Sequence, residues 1–206
     1  LSSVNLDNRY FQDQNMTFRF APSDQGNLAS YPKYFKVATV NNGNGGVHLK
    51  GHLNNHVESF GTQDFDISIY GRENDNGANV EITGYFNVGA SGVGVLVVKA
   101  SDSTYDPYDV YIALTRYSQV FVDITKTGIS TITENDTGTT TKPTGLSTEL
   151  DTTTTGEGSY VIVDSVIQET WHQGNDGSGS GLDADLLDGQ HASAFQTVAA
   201  PNAPSI

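Results

Sequence analysis

The residues most suggestive of chemistry are three aspartates near the end of the chain, Asp183, Asp185 and Asp188, which follow a stretch of glycine and serine. Closely spaced carboxylates are ligands that Ca²⁺ prefers. An EF-hand loop needs oxygen ligands at positions 1, 3 and 5, but counting from Asp183 puts Leu187 at position 5 and Asp188 one place late. We therefore expect these carboxylates to cap turns and accept backbone N–H groups, with no metal cofactor.

A second candidate metal site is formed by His48, His52 and His56, which are spaced four residues apart. Three imidazoles on one face could hold zinc or iron. However, Gly51 and the Asn-Asn pair that follows it favour a strand ending in a turn, which would separate His56 from the other two. The sequence therefore predicts histidines that face solvent.

Pairs of carboxylates raise the possibility of a glycosidase, which needs two such groups across a cleft. The candidate pairs are Asp64 with Asp66, Asp106 with Asp109, and Glu73 with Glu81. Asp64 and Asp66 lie at i and i+2, so they share one face of a strand and are more typical of a solvated edge than of a catalytic pair. No Ser-His-Asp grouping and no phosphate-binding loop is indicated by the spacing. We expect no catalytic residue and no enzymatic activity.

Four tyrosines near the end of the first part of the chain, Tyr105, Tyr108, Tyr111 and Tyr117, could stack on sugar rings. Tyrosines of this kind more often pack in a core or a subunit interface with the hydroxyl reaching water. We expect core or interface packing here.

The overall charge of the chain excludes several partners. The formal net charge is −14, and the part after Lys142 carries nine acidic residues and no basic one. Because such a surface repels phosphate groups, we expect no nucleic acid partner. No apolar run approaches the roughly 18–20 residues needed to span a bilayer, so we expect no membrane insertion. The absence of cysteine excludes disulfides and thiolate chemistry.

Short runs with a period of two dominate residues 1–128, and Asn-, Asp- and Gly-rich turns separate them. They lie at 35–40, 65–69, 110–114 and 120–124. A further run at 93–98 is apolar almost throughout, as expected for a central strand covered on both sides. The fold class predicted is therefore all-β: an antiparallel β-sandwich, jelly-roll-like, over residues 1–128.

The composition changes after Gly128. Residues 129–158 are rich in threonine, which favours extended chain, but contain too few apolar residues for a core of their own. We expect this segment to be an extended linker or stalk. Residues 159–206 begin with one more strand and continue into the run Trp171 to Phe195, which is too short and glycine-rich to fold alone.

Within that run, the sequence GLDADLLDGQHAS at 181–193 closely resembles a module of the tail fibre proteins of tailed bacteriophages, including cyanophages. More loosely, residues 1–128 resemble a globular β domain inserted in such fibres, through YFKVATV near the start and YDVYIALTRYSQVFVDIT at the end. The resemblance implies that 159–206 belongs to an extended shaft built from three identical chains. The residues then expected at the interface between chains are Trp171, Leu182, Leu186, Leu187 and Phe195.

The function implied is a structural segment of a homotrimeric tail fibre in the virion, assembled in the host cytoplasm. The expected partners are other copies of the chain, other tail fibre or baseplate proteins, and a host surface glycan or outer-membrane receptor. The alternative is a secreted or surface carbohydrate-binding β-sandwich that is monomeric and uses its last third as a tether.

Overall fold

The chain forms two compact units, residues 1–169 and 170–206. The structure is a computed structural model that describes residues 15–20, 32–41, 45–55, 62–74, 77–89, 93–101, 107–115, 118–133, 137–170, 186–187 and 190–191. The strands of the first unit are β1 Asn15–Phe20, β2 Lys33–Val40, β3 Gly46–Asn55, β4 Thr62–Asn74, β5 Gly77–Val88, β6 Gly94–Lys99, β7 Tyr108–Leu114, β8 Ser118–Thr127, β9 Thr131–Ile132, β10 Ser147–Asp151, β11 Gly158–Val163 and β12 Val166–Glu169. One turn of 3-10 helix, Thr152–Thr154, lies between β10 and β11.

The strands of the first unit are arranged in two antiparallel sheets packed face to face. The seven-stranded sheet has the order β1-β8-β3-β4-β5-β11-β12, and the five-stranded sheet has the order β10-β6-β7-β2-β9. The antiparallel sandwich predicted from the sequence is confirmed. The jelly-roll-like topology expected from the sequence is not found for these strands. Strands β3, β4 and β5 pair one after another in a single sheet and form a meander, whereas a jelly roll sends consecutive strands across the sandwich in two Greek keys.

The core lies between the sheets and is built from the alternate residues of each strand. The alternation predicted for the period-two runs is confirmed, since the apolar residues on one face of each strand are at most 2 % exposed. These are Phe35 and Val37 on β2, Phe65, Ile67 and Ile69 on β4, Val110, Ile112 and Leu114 on β7, and Val120, Val122 and Ile124 on β8. Register is strongly specified, because a slip of one residue would turn each of these sets toward water.

The Thr-rich segment belongs to the sandwich, which moves the expected domain boundary from Gly128 to Glu169. Strands β9 and β10 form the two edges of the five-stranded sheet, while β11 and β12 extend the seven-stranded sheet. The segment needs no core of its own, because Leu150 and Ile162 pack into the core made by the earlier strands. The backbone of this segment forms hydrogen bonds with earlier strands: β9 pairs with β2, β10 with β6 and β11 with β5. The strand expected at the start of 159–206 is present as β11.

A second cluster of buried side chains lies on the other face of the five-stranded sheet: Tyr34, Leu96, Val98 and Ala113. The segment 137–146 runs from the β9 edge of this sheet to the β10 edge and passes this face. Thr139 exchanges two backbone hydrogen bonds with Tyr34, of 2.9 and 3.0 Å, and the Leu146 amide donates to the Lys99 carbonyl at 2.7 Å. We name residues 137–146 the strap, and a Cβ at its Gly145 would meet the Val98 side chain at 3.1 Å.

In the second unit, β13 (Leu186–Leu187) pairs with β14 (Gln190–His191) in antiparallel register, Leu186 with His191 and Leu187 with Gln190. Gln190 and His191 therefore lie in a strand. The two residues between the strands are Asp188 and Gly189, a dipeptide that two-residue hairpin loops favour.

Candidate binding face on the seven-stranded sheet

The solvent-facing side of the seven-stranded sheet carries polar, charged and aromatic side chains on four neighbouring strands. On β3, β4, β5 and β8 the residues between the buried ones point outward, and most of them are polar or aromatic. We call this set the outer face: His48, Lys50, His52, Asp64, Asp66, Ser68, Tyr70, Glu81, Thr83, Tyr85, Asn87, Phe121, Asp123 and Thr125.

Two histidine–aspartate pairs join neighbouring strands across the outer face. His52 and Asp64 lie directly opposite each other on β3 and β4, and Nδ1 of His52 is 2.5 Å from Oδ1 of Asp64. Nε2 of His48 is 2.7 Å from Oδ1 of Asp66, and the Lys50 ammonium lies 3.5 Å from Oδ2 of that carboxylate. The histidine side chains are about two-fifths exposed, at 40 % for His48 and 42 % for His52. They therefore face solvent as predicted, and each is oriented by a carboxylate.

The environment of Asp66 stabilises its charged form. The hydrogen bond from His48 lowers the pKa of the Asp66 carboxyl below its ordinary value, and the charges of His48 and Lys50 lower it further. Partial burial acts in the opposite direction but is outweighed. Asp66 is thus a fixed carboxylate acceptor at the centre of the face.

Three aromatic side chains on this face are about half exposed: Tyr70 at 46 %, Tyr85 at 47 % and Phe121 at 48 %. Phe121 on β8 is registered with His52, and Tyr85 on β5 is registered with Asp66. The two aromatic rings therefore flank the histidine–aspartate pairs from opposite sides. An exposed aromatic ring beside hydrogen-bonding groups can pack against the apolar part of a ligand.

Of the carboxylates considered for glycoside hydrolysis, Asp64, Asp66 and Asp109 each hold a different partner, whereas Asp106 lies outside the described residues. Asp64 and Asp66 share the outward face of β4, as predicted, but Asp64 contacts His52 while Asp66 contacts His48 and Lys50. Asp109 lies on the five-stranded sheet and forms an ion pair of 2.7 Å with Lys36 of the same sheet. Within the described residues, no group of three or more His, Asp or Glu side chains is arranged to hold a metal ion.

The residues expected at a subunit interface fall mostly outside the described part of the chain. Trp171, Leu182 and Phe195 lie outside it, and Leu186 and Leu187 are described only as strand β13. Of the four tyrosines considered for sugar stacking, Tyr108 is buried in the core at 2 % exposure and Tyr111 packs against the second cluster, in keeping with the packing expected. Tyr105 and Tyr117 are outside the described residues.

Sequence reasoning missed the aromatic residues of the outer face. The signal was available in the alternation: Tyr85 and Phe121 occur in phase with the polar residues Asn87 and Asp123, not with the apolar residues of the same strands. An aromatic residue on the polar phase of a strand is expected to be exposed.

Comparison of the chain with protein-family models, with curated proteins and with solved structures finds no match.

In the part of the chain that the structure describes, no helix has the length and apolar character to cross a membrane.

Proposed function

We propose that this chain is a structural segment of a homotrimeric tail fibre of a tailed bacteriophage, linking the virion tail to recognition of the host receptor. The observation that carries the proposal is the GLDADLLDGQHAS sequence, which resembles a fibre shaft module and lies wholly within the second compact unit. In this role the sandwich is a node on the fibre, and residues 170–206 belong to the shaft.

The division of the chain supports this assignment of roles. The sandwich has its own core and uses every strand up to Glu169, so residues 170–206 are not required to complete it. The described hairpin of the second unit is only two residues long on each side, too small to be stable in water by itself. Association with two further copies would supply the apolar surface that this unit needs.

The role also fixes the partners proposed for the chain. They are two further copies, other tail fibre or baseplate proteins, and a receptor on the host surface. The acidic surface is consistent with a particle component that does not bind nucleic acid. No catalytic step is part of the proposal.

The proposal is tested by measuring the mass of the purified chain in solution by light scattering, together with chemical crosslinking. We expect a trimer for the full chain and a monomer for a chain that ends at Glu169. A stable monomer of the full chain in which residues 170–206 are folded would contradict the proposal. That result would favour the alternative, a monomeric carbohydrate-binding module with a C-terminal tether.

A further inference from the structure

We propose that the outer face of the seven-stranded sheet is a binding site for an uncharged polysaccharide. The carrying observation is the placement of half-exposed aromatic rings on both sides of a strip of oriented hydrogen-bonding groups. The inference does not depend on the trimer, because the strands that carry this face belong to the sandwich.

The aromatic rings provide the apolar part of the site. A sugar ring presents C–H groups on its faces, which pack against the electron-rich face of an aromatic ring. Tyr85 on β5 and Phe121 on β8 are separated by three strand spacings, which corresponds to about 14 Å across the sheet. A distance of this size suits an extended chain of several sugar rings lying across the strands and not a single small molecule.

The strip between these rings provides hydrogen-bonding groups for sugar hydroxyls. Asp64 and Asp66 are acceptors, and Asn87, registered with Asp64 on the neighbouring strand, offers both a donor and an acceptor. The cross-strand contacts with His52 and His48 restrain the two carboxylates before a ligand arrives. Groups held in place in this way lose little conformational freedom on binding.

The charge of the outer face selects the class of ligand. Its described side chains include the carboxylates of Asp64, Asp66 and Glu81 and the ammonium group of Lys50, and the chain as a whole carries a formal net charge of −14. An anionic polysaccharide would be repelled by this surface. A second copy of the chain packed face to face would bring the same carboxylates together, which is unfavourable for a symmetric dimer. An uncharged polyhydroxyl chain would meet neither of these electrostatic repulsions.

The test is affinity electrophoresis of the full chain in native gels that contain dextran, mannan or galactan as uncharged polymers, or alginate as an anionic one. A glycan array carrying uncharged bacterial polysaccharides extends the panel. We expect retardation or binding by at least one uncharged polymer and none by alginate. The variants Tyr85→Ala and Phe121→Ala are each expected to weaken that binding about tenfold, the size typical of an aromatic contact at the centre of an interface.

Matched controls separate loss of the site from loss of the fold. Leu146→Ala removes an exposed apolar side chain, at 58 % exposure, next to the other sheet and should leave binding unchanged. Thermal unfolding of all the variants should stay close to that of the parent chain, since the replaced side chains are half exposed. Asp64→Asn keeps the shape of the side chain and tests the carboxylate acceptor separately.

Three outcomes would overturn the inference: no binding to any uncharged polymer, binding that Tyr85→Ala and Phe121→Ala leave intact, or preferential binding to alginate. Salt-dependent capture by immobilised polylysine, without glycan binding, would assign the face to a basic macromolecule and also overturn it. Because the oligomeric state is measured independently, a failure here leaves the trimer proposal standing, and a monomeric chain that binds the polymer would refute only the trimer.

Discussion

At the scale of single residues, buried polar groups show how a Thr-rich sequence can be part of a sandwich core. Thr152 is 1 % exposed, and its hydroxyl accepts a hydrogen bond of 2.8 Å from the Val95 amide. The Gln63 side-chain amide donates to the same oxygen at 3.4 Å. Gly94 leaves room for this contact, because a Cβ there would collide with the Thr152 hydroxyl. One hydroxyl thus joins β4, β6 and the turn after β10.

Replacing Thr152 by valine is expected to destabilise the fold by about 1–3 kcal/mol, because the shape is kept while the Val95 amide is left buried without its acceptor. The free energy of unfolding in urea measures this effect. Thr148→Val, at an exposed position of β10, is the control and should change stability by less than about 0.5 kcal/mol. Equal stabilities of the two variants would show that the hydroxyl contributes nothing.

The lowered pKa of Asp66 makes a prediction about acid. A carboxyl whose pKa is lower in the folded state adds stability above its unfolded pKa, and this stability is lost as the pH falls through the folded value. Asp66→Asn should therefore be less stable than the parent chain at neutral pH. The difference should shrink once the pH falls below about 4, close to the ordinary pKa of aspartate. Urea midpoints measured against pH test this.

The control for the Asp66 experiment is Glu157→Gln, which removes a charge of the same sign at an exposed position. It corrects for the general effect of lowering the net negative charge. A difference between Asp66→Asn and the parent chain that does not vary with pH would contradict the assigned role of the carboxylate.

At the scale of elements, β5 needs a glycine where it passes β4. Gly84 has φ of +145°, a conformation that other residues rarely adopt, and a Cβ there would collide with the backbone carbonyl of Asp66. The neighbouring residue Tyr85 is one of the aromatic groups of the outer face. The unusual backbone therefore lies directly beneath the proposed binding site.

Gly84→Ala should destabilise the sandwich by about 1–3 kcal/mol from backbone strain, and by more if the collision with the Asp66 carbonyl is not relieved. Gly156→Ala is a suitable control, because the nearest atom to its new methyl group would be the Tyr160 hydroxyl oxygen at 3.8 Å. Thermal unfolding of both variants distinguishes them. A Gly84→Ala chain as stable as Gly156→Ala would mean that β5 adjusts without cost.

The strap is the second feature at this scale. Leu96 and Val98 are buried although they point away from the main core, and Gly145 of the strap lies next to Val98. An ion pair of 2.5 Å between Lys142 and Asp151 connects the strap to the end of β10. The two sheets therefore differ in accessibility: one outward side is occupied by the chain itself, and the other displays polar and aromatic groups to solvent.

At the scale of the whole molecule, the two compact units have separate roles in the proposed fibre. The sandwich carries the outer face, and residues 170–206 carry the sequence that resembles a shaft module. Assembly and ligand binding should therefore respond to different substitutions.

Leu187→Asp is predicted to abolish the trimer, since it would place three carboxylates together at a dry contact between chains. The sandwich should keep its unfolding temperature, because Leu187 lies in the second unit. Light scattering and differential scanning calorimetry measure these two properties. Asp185→Asn is the control in the same module and should remain trimeric. A stable trimer of Leu187→Asp would contradict the proposed interface.

The sequence by itself determined the class of the fold and the inward faces of its main strands. Alternation at Phe65, Ile67 and Ile69, for example, is a local property, and burying one face of a strand leaves little choice of which side faces the core. The solvent-facing position of His48 and His52 was predicted from the strand that Gly51 and the following Asn-Asn pair indicate.

Only the tertiary structure decided where the sandwich ends and what its outer surface presents. The segment after Gly128 reads as a linker because a local count of apolar residues cannot show that Leu150 and Ile162 pack into a core built by distant strands. Likewise, the pairs His52 with Asp64 and His48 with Asp66 depend on strand register, which is set by nonlocal hydrogen bonds. Alternation along one strand determines which face of the sheet a side chain points to. The residues that it contacts on that face belong to neighbouring strands that are distant in the sequence.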